Sequence, residues 1–427
     1  MDRSAQGESD KKRYMVVSSD THAGADLQGY RPYLEARYHE AFDQWAATYH
    51  DAWCDVSGNE DLDMDIGVAS GDRNINWDSS TRNKELESQG IAGEVVLPNT
   101  SPPFFPTGVI MATSPRTQED YELRWAGLRA HNRWLVDFCN DLPGRRAGVA
   151  QLFVNDIDDA IAEVEWVAES GLKGGVLMPV IYPTDGLPPL YDARYDPLYA
   201  ACASLGVPIS QHSGAVGNPS DNIHDGLAIM YVELRWYVNR ALAHLTLGGV
   251  FERHPDLKWI MVEQGMDWIP GRLAELDFAF AEARKHRSVA RSFIGASLDG
   301  LSKTPTEYYQ QNCYAAASFM FRAEAAMRHD VGLDRIMWGA DYPHVEGTAP
   351  YTIEALRYTF NDVPEAECRL MLGETACDLF DLDRVALEEA AARIGPSVEE
   401  IATPLEAIPA DSWSFSFSGP YGESGDA

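Results

Sequence analysis

Short apolar runs alternate along the chain with longer segments that have a helical pattern. Each run is bounded by glycine, proline or polar residues and is too short for a stable helix, which indicates buried strands. The eight runs are residues 14–19, 94–97, 148–154, 174–178, 208–211, 259–262, 313–316 and 336–339.

The segments between the runs carry helix signals. Residues 157–168 place apolar side chains at i, i+3, i+4 and i+7, the spacing of one helical face. Asn155 or Asp156 is expected to cap the start of this helix, and Gly171 to end it. The helix that follows is expected to have Asp196 at its cap.

Eight strands separated by helices imply a parallel sheet, and eight parallel strands can close a (β/α)₈ barrel of the TIM type. A doubly wound open sheet is the alternative, but no G-x-G-x-x-G follows an early strand. We therefore expect a polar tail at 1–13 and a barrel at 14–385. An insertion at about 38–89 and an extension at 386–427, the latter wrapping the surface or a neighbouring subunit, complete the chain.

Composition and charge narrow the functional classes. Hydrophobic residues make up 45% of the chain, enough for a large core, and 34 basic against 66 acidic residues give a net charge of −32. This charge argues against nucleic acid and anionic membrane as partners. Six cysteines without CxxC spacing argue against a zinc cluster or a disulfide scaffold. Without a long apolar run or an apolar N-terminus, the chain is expected to be a cytoplasmic enzyme.

Residues that can bind metals follow four of the eight runs. Asp20 and His22 follow the first run, and His212, Glu263 and Asp341 follow the fifth, sixth and eighth. Catalytic residues of parallel barrels lie at these strand ends. Because alternate residues of an extended strand point to the same side, Asp20 and His22 can reach one ion.

Two histidines and two carboxylates form a site for Zn²⁺ first, with Mn²⁺, Fe²⁺ or Co²⁺ as alternatives. Each residue also has a structural explanation when taken singly. Asp20 can cap a loop and His212 can pack in the core. Asp341 can belong to a turn, and Glu263 can form an ion pair with a basic residue. Their joint position at four strand ends favours a metal site formed by Asp20, His22, His212 and Asp341.

Further side chains near these loops can contact a substrate. His224 and His344 follow the ligand loops and can act as proton donors. Arg235 and Arg240 lie on the helix after the His212 loop, where each can hold a substrate carboxylate or form a surface salt bridge. Aromatic residues near the strand ends suit a planar, carboxylated or amidated small molecule, although they are also ordinary core residues: 104–105, 236–237 and 319–321.

The order of three motifs resembles the amidohydrolase superfamily. The motifs are Asp-Thr-His at 20–22, Gln-His-Ser-Gly at 211–214 and Trp-Gly-Ala-Asp-Tyr-Pro at 338–343. More narrowly, the chain is similar over residues 14–385 to the branch that includes aminocarboxymuconate semialdehyde decarboxylase and γ-resorcylate decarboxylase. The resemblance implies a barrel with one divalent ion, and a homodimer.

The resemblance also implies roles for individual residues. Asp20 stands where the family has His or Glu, and His22 matches its constant metal-binding histidine. His212 matches the ligand after strand five, and Asp341 the aspartate after strand eight. In hydrolytic members this aspartate takes a proton from water, and in decarboxylating members it is tied to protonation of the substrate carbon.

One departure separates the possible reactions. Many relatives have a histidine in a His-Gly-Gly turn after strand six, whereas this chain has Glu263 in Val-Glu-Gln-Gly. This change favours a hydrolase that uses metal-activated water, with Asp341 as general base and Glu263 as proton shuttle or fourth ligand. His344 can supply the missing imidazole. The alternative is a non-oxidative decarboxylase of an aromatic or dienoic acid, and the third reading is an inactive barrel that acts as a binding protein.

Overall fold

The computed structural model describes residues 13–50, 75–107, 112, 114–181, 186–213, 228–229, 232–233 and 236–418. Within these residues, parallel strands alternate with helices, as predicted, and strands that follow one another in sequence pair in the sheets. The strands are β1 (Val16–Ala23), β2 (Ile91–Pro98), β3 (Arg146–Gly148), β4 (Ala150–Gln151), β5 (Val176–Leu177), β6 (Ile209–His212), β7 (Trp259–Val262), β8 (Cys313–Ser318) and β9 (Ile336–Gly339).

The strands form two parallel sheets, β1 to β3 and β4 to β9, and further backbone hydrogen bonds join the edges of these sheets. The third predicted run, 148–154, corresponds to β3 and β4, which Val149 separates and which act as one strand position between β2 and β5. The last strand meets the first, because the His22 N–H donates to the Tyr342 carbonyl (2.7 Å) and the Asp341 N–H to the Asp20 carbonyl (2.9 Å). The fold is therefore the predicted (β/α)₈ barrel.

The helices pack around the strands. The helix at 157–168 was predicted from its apolar face, and Asp156 is its N-cap and Gly171 its left-handed C-cap, as expected. The cap predicted at Asp196 is wrong by one residue, because Tyr195 occupies that position. The longer helices are α1 (His39–Ala46), α2 (Ser79–Ser88), α3 (Gln118–Asn140), α4 (Ile157–Ser170), α5 (Asp196–Leu205), α6 (Arg240–Leu247), α7 (Ile269–Arg284), α8 (Val289–Leu298), α9 (Pro305–Asn312), α10 (Thr352–Phe360) and α11 (Arg384–Ile394).

No helix among the described residues is long and apolar enough to cross a membrane.

Short helical turns connect several of these elements. The turns are Gln28–Tyr33, Ala36–Tyr38, Ala193–Tyr195, Val250–Arg253, Arg322–Ala326, Arg328–Val331, Leu333–Arg335, Glu365–Arg369, Leu370–Glu374, Thr375–Leu379, Val398–Ile401 and Phe415–Phe417.

Side chains of alternate strand residues form two separate core layers. On β7, Ile260 and Val262 belong to the layer inside the barrel, whereas Trp259 and Met261 belong to the layer between barrel and helices. Ile209 on the neighbouring β6 also belongs to the outer layer. The alternation therefore directs one face of each strand to the barrel axis and the other to the helices.

The two regions outside the predicted barrel pattern also contain regular structure. The insertion at 38–89 lacked a clear period, yet α1 and α2 lie within it; its residues 51–74 lie outside the described part. In the extension, Arg357 on α10 donates to the Thr403 carbonyl (3.0 Å). The described part of the extension therefore packs on its own chain.

Candidate metal centre

Five of the six predicted site residues come from four strands that surround the barrel axis. Asp20 and His22 lie within β1 and His212 is the last residue of β6, so these three do not follow their strands as predicted. Strand β1 continues to Ala23 because it stays paired with β2 up to Ala23 and Pro98, and all eight of its residues are buried. Glu263 directly follows β7, and Asp341 follows β9 by two residues.

The functional atoms of these residues converge on one point. His22 Nε2 lies 3.3 Å from Asp20 Oδ1 and 3.2 Å from Asp341 Oδ1. His212 Nε2 lies 3.7 Å from Asp20 Oδ1 and 3.1 Å from Glu263 Oε2. Asp20, His22 and His212 form a group whose ligand atoms all lie within 4.8 Å of one another, as do Asp20, Glu263 and Asp341.

Several of these atoms are buried without a hydrogen bond. Within the described part of the chain, Asp20 Oδ1, His22 Nε2, His212 Nε2 and both carboxylate oxygens of Asp341 have no such bond. Burial of unsatisfied polar atoms is costly, whereas a cation would satisfy all of them at once. The four residues therefore fit a divalent ion with N and O ligands.

Backbone carbonyls orient the two imidazole rings. His22 Nδ1 lies 3.0 Å from the Pro98 carbonyl oxygen, and His212 Nδ1 lies 2.6 Å from that of Ser213. An Nδ1–H that donates to a carbonyl leaves the Nε2 lone pair available for an ion. Ser318 Oγ donates to Asp20 Oδ2, which leaves Oδ1 directed at the centre. Ser318 was not predicted, although it ends β8 at the same rim.

The charges at the centre are strongly coupled. Burial opposes ionisation of Asp20, but the neighbouring His212 and His22 imidazoles hold the pKa of this carboxyl well below its usual range. Burial likewise opposes protonation of His212, yet the charges of Glu263 and Asp20 raise its pKa to about 9. The carboxylates therefore favour positive charge between them, which protonated imidazoles or a divalent ion can supply.

Backbone strain is concentrated at the rim of the barrel. Glu263 and Asp341 have φ angles of 54° and 56°, in the left-handed region that side chains other than glycine seldom adopt. The N–H of Glu263 is held by the Ala316 carbonyl at 3.1 Å. Such strain persists where the surrounding structure enforces it, and it is common at functional sites.

His344 joins the centre through Asp341, as its predicted role requires. Its Nδ1 lies 2.9 Å from Asp341 Oδ1, and its ring stacks on that of His22 with 4.1 Å between centroids. His344 Nε2 lies 3.2 Å from Asn99 Oδ1. Asn99 was missed, although it directly follows β2 and the search for polar residues at strand ends would have found it.

A buried ion pair supports the strand that carries Asp20 and His22. Arg82 Nη2 donates to Glu94 Oε2 (2.8 Å), and Arg146 Nε donates to Glu94 Oε1 (2.8 Å). Arg82 Nη1 donates to the His22 carbonyl at 2.8 Å. This cluster was not predicted, because Glu94 begins an otherwise apolar run and has no polar neighbour in the run that would indicate an ion pair.

The remaining predicted contacts have different outcomes. Arg240 forms no ion pair among the described residues and lines a cavity behind β6, and both its surface salt bridge and its contact with a substrate carboxylate stay predictions. His224 and Arg235 lie outside the described residues. Of the aromatic residues, Phe104 packs against Phe42 in a small separate core. Phe319 directly follows Ser318, the residue at the end of β8 that contacts Asp20.

The C-terminal extension reaches this rim. The Phe415 ring meets the Phe319 ring edge to face, with 5.3 Å between centroids and an interplanar angle of 88°. The Phe415 N–H donates to the Glu346 carbonyl at 3.0 Å. Burial and the charge of Asp341 raise the pKa of the Glu346 carboxyl, which indicates that this loop lies beside the centre. Phe415 therefore lies beside the loop that follows Asp341 and His344.

Comparison with known families and structures agrees with this geometry. A family model described as Amidohydrolase matches residues 51–382, about three quarters of the chain. No curated protein sequence matches. A solved amidohydrolase from Mycobacterium avium subsp. paratuberculosis is 20% identical and has a TM-score of 0.60, with 86% of this chain and 99% of that chain covered.

Two of the similar structures are decarboxylases. A 5-carboxyvanillate decarboxylase from Novosphingobium aromaticivorans, complexed with manganese and 4-hydroxy-3-methoxy-5-nitrobenzoic acid, is 18% identical with a TM-score of 0.61, covering 86% of this chain and 96% of that chain. A 2,6-dihydroxybenzoate decarboxylase from Rhizobium is 18% identical with a TM-score of 0.57, covering 86% and 98%. At these identities the likeness establishes the fold.

Proposed function

The chain belongs to the amidohydrolase family, and from this premise we propose that it is a metal-dependent carboxy-lyase that decarboxylates a small aromatic acid. The observation that carries the proposal is the buried pair of Asp341 and His344, which adjoins the metal-capable group. The decarboxylases among the similar structures support this reaction over the hydrolysis favoured by the sequence.

Asp20, His22, His212 and Asp341 would hold the ion, since their buried atoms converge without other partners in the described part of the chain. A divalent ion bound there supplies positive charge that stabilises negative charge on substrate oxygen atoms. Manganese in a similar structure makes Mn²⁺ as suitable as Zn²⁺ for the first tests.

Asp341 and His344 move the proton that the reaction requires. Decarboxylation breaks the bond between the ring carbon and the carboxylate carbon, CO₂ leaves, and the electron pair stays on the ring carbon. Burial opposes ionisation of Asp341, but the charge of His344 holds the pKa of this carboxyl below its usual range, so the proton starts on His344. His344 Nδ1, 2.9 Å from Asp341 Oδ1, gives the proton to Asp341, which passes it to the ring carbon and completes the new C–H bond. The His344 side chain is 13% exposed and takes up the next proton from solvent, whereas Asp341 is fully buried.

The aromatic rim supports a planar substrate. Phe319 and Phe415 place two rings at right angles beside the end of β8. One ring belongs to the barrel and the other to the C-terminal extension. An aromatic ring that enters between the rim and the metal-capable group would stack or pack edge to face with these side chains. The acidic group of such a substrate would then face the ion.

A hydrolase is the second candidate, and Glu263 is the observation that favours it. Its Oε2 lies 3.1 Å from His212 Nε2. Burial raises the pKa of Glu263 to about 7, against the charge of His212, and Asp341 adds to the rise. A carboxylate with such a pKa can accept a proton from an attacking water near neutral pH.

Parallel assays distinguish the two reactions. Enzyme loaded with Mn²⁺ or Zn²⁺ is incubated with 2,6-dihydroxybenzoate and with 5-carboxyvanillate, and CO₂ release is measured beside hydrolysis of a panel of aryl esters and anilides. We expect CO₂ release that Asp341→Asn lowers at least about 100-fold, and no hydrolysis. Hydrolysis without CO₂ release would contradict the carboxy-lyase and establish the second candidate.

A further inference from the structure

A cavity of about 190 Å³ lies behind β6, on the opposite face of that strand from the metal centre. His212 points to the barrel axis, whereas the adjacent Gln211 lines the cavity, which Arg240 and His244 on α6 bound from the other side. Gln211 pairs in register with Met261, a residue of the outer core layer. The strand therefore separates the cavity from the metal-capable group.

The walls of the cavity divide into an apolar part and a polar part. Val180, Leu187 and Leu190 belong to the apolar part, which offers no hydrogen bonds from side chains to a water cluster. Gln211 and Arg240 belong to the polar part. A chamber with mostly apolar walls and a few convergent polar groups is typical of a site for a small organic molecule.

Gln211 is buried with unused hydrogen-bonding capacity. Only 3% of the residue is exposed, and within the described part of the chain its Oε1 accepts no hydrogen bond. Its backbone carbonyl is occupied by Gln264 Nε2 at 2.8 Å, which fixes the position of the residue. An unsatisfied buried amide oxygen is costly unless a ligand or an ordered water donates to it.

Arg240 contributes a positive charge without an acidic partner. Among the described residues its guanidinium pairs with no carboxylate and lies over the Tyr237 ring, 4.8 Å from the centroid. His244 Nδ1 is buried without a hydrogen bond in the same part of the chain. Burial, and then the charge of Arg240, lower the pKa of His244 to about 4, so its imidazole is neutral and leaves Arg240 as the cation of the cavity.

We propose that this cavity is a second binding site, which takes a small carboxylic acid with an apolar body. The carboxylate pairs with Arg240, whose planar guanidinium matches it in a bidentate fashion. The body fills the apolar chamber, since a cavity of about 150 Å³ already accommodates benzene. A hydroxyl or N–H group of the ligand, or an ordered water beside a ligand without such a group, donates to Gln211 Oε1. The site is independent of the reaction at the metal centre.

The test uses the metal-loaded enzyme and radiolabelled benzoate in equilibrium dialysis. Wild type is compared with Arg240→Gln, which removes the charge from a half-buried side chain, and with Arg272→Gln as the matched control. Arg272 lies on α7 and pairs with Glu275 away from the cavity. Because benzoate bound at the metal centre is the same in all three proteins, the difference in bound equivalents measures the cavity.

We expect wild type and Arg272→Gln each to bind one benzoate per chain at the cavity. Arg240→Gln is expected to bind this benzoate with at least ten-fold lower affinity. Ala241 also lines the cavity, and Ala241→Leu is expected to abolish the same equivalent by filling the chamber. Equal binding by wild type and Arg240→Gln would overturn the proposal. The proposal would also be overturned if wild type bound no benzoate beyond the amount bound by Arg240→Gln. This outcome does not depend on the reaction at the metal centre.

Discussion

Arg82 donates a hydrogen bond from Nη1 to the backbone carbonyl of His22 at 2.8 Å, although it lies on a helix 60 residues further along the chain. The same guanidinium pairs with Glu94 on β2 and lies over the Tyr342 ring, 5.0 Å from its centroid. One buried cation therefore contacts β1, β2 and the segment after β9. These three segments carry or support Asp20, His22 and Asp341, so the ion pair positions half of the candidate centre.

Glu94→Gln is expected to destabilise the protein by about 3–5 kcal/mol, because it leaves Arg82 and Arg146 as buried charges without a full partner. Urea unfolding of the metal-free protein measures the loss. The control is Glu365→Gln, which breaks an exposed pair with Arg369 and is expected to cost less than about 1 kcal/mol. Equal effects of the two substitutions would contradict a positioning role for Glu94.

The same carboxylate makes stability depend on pH. Burial alone raises the pKa of Glu94, but the charges of Arg82 and Arg146 lower it to about 2, below its usual 4.5. A lowered pKa stabilises the folded state above pH 4.5, and this contribution disappears as the pH falls toward 2. Between pH 4.5 and pH 2 the free energy of unfolding of wild type is therefore expected to fall by about 3 kcal/mol more than that of Glu94→Gln.

The strand-end rule predicted most of the centre because it depends only on local pattern. His212 and Asp341 were found in this way, since an apolar run followed by a polar residue is visible in a short window. The end of β1 was misplaced because Asp20 and His22 are polar residues inside a fully buried strand, and their polarity ended the apparent run. Hydrophobicity patterns do not distinguish such a strand from a loop.

Contacts between distant segments could not be predicted from these patterns. Arg82 lies on α2, whose sequence is polar apart from Leu86 and is typical of a surface helix, yet its side chain is fully buried. Phe415 lies almost 100 residues beyond Phe319, in a segment without a clear period. The pattern of a single sequence contains no signal that pairs such positions.

His212→Ala is expected to weaken the binding of Zn²⁺ or Mn²⁺ by more than about 100-fold. The substitution removes one ligand, the Nε2 of His212, from its group with Asp20 and His22, and this atom has no hydrogen bond in the described part of the chain. Metal content after dialysis against a weak chelator, measured by mass spectrometry, gives the result. His254→Ala is the control, since His254 contacts Asp196 away from the barrel axis. Retention of a full equivalent of metal by His212→Ala would refute the assigned ligand set.

His344→Asn is expected to lower kcat for decarboxylation by about 10²–10⁴-fold without loss of metal. Asparagine can still donate a hydrogen bond to Asp341 but cannot carry a proton to it. The exposed His286 provides the control substitution His286→Asn, which should leave kcat unchanged. A loss of bound metal in His344→Asn would instead make this residue a ligand, as its group with His22 and Asp341 allows.

Phe415→Ala tests the aromatic rim. Loss of one ring that faces Phe319 is expected to raise KM for an aromatic acid about tenfold, or about 1.4 kcal/mol, and to change kcat less than about threefold. Trp413→Ala is the matched control on the same segment, because this side chain belongs to a residue that is 54% exposed. Equal KM values for both variants and wild type would exclude Phe415 from the substrate site.

Glu263→Gln separates the two candidate reactions through one side chain. In the carboxy-lyase, Asp341 and His344 supply the proton, so removal of the Glu263 carboxylate is expected to leave kcat for CO₂ release within about tenfold of wild type. In a hydrolase, the same carboxylate 3.1 Å from His212 Nε2 would accept the proton of the attacking water, and its loss would lower kcat about 10²–10⁴-fold. Metal content must be equal in both proteins, which makes the change in kcat a measure of proton transfer alone. Because glutamine keeps the shape of the side chain and one acceptor oxygen, a large loss would contradict the proposed carboxy-lyase mechanism rather than indicate a packing defect.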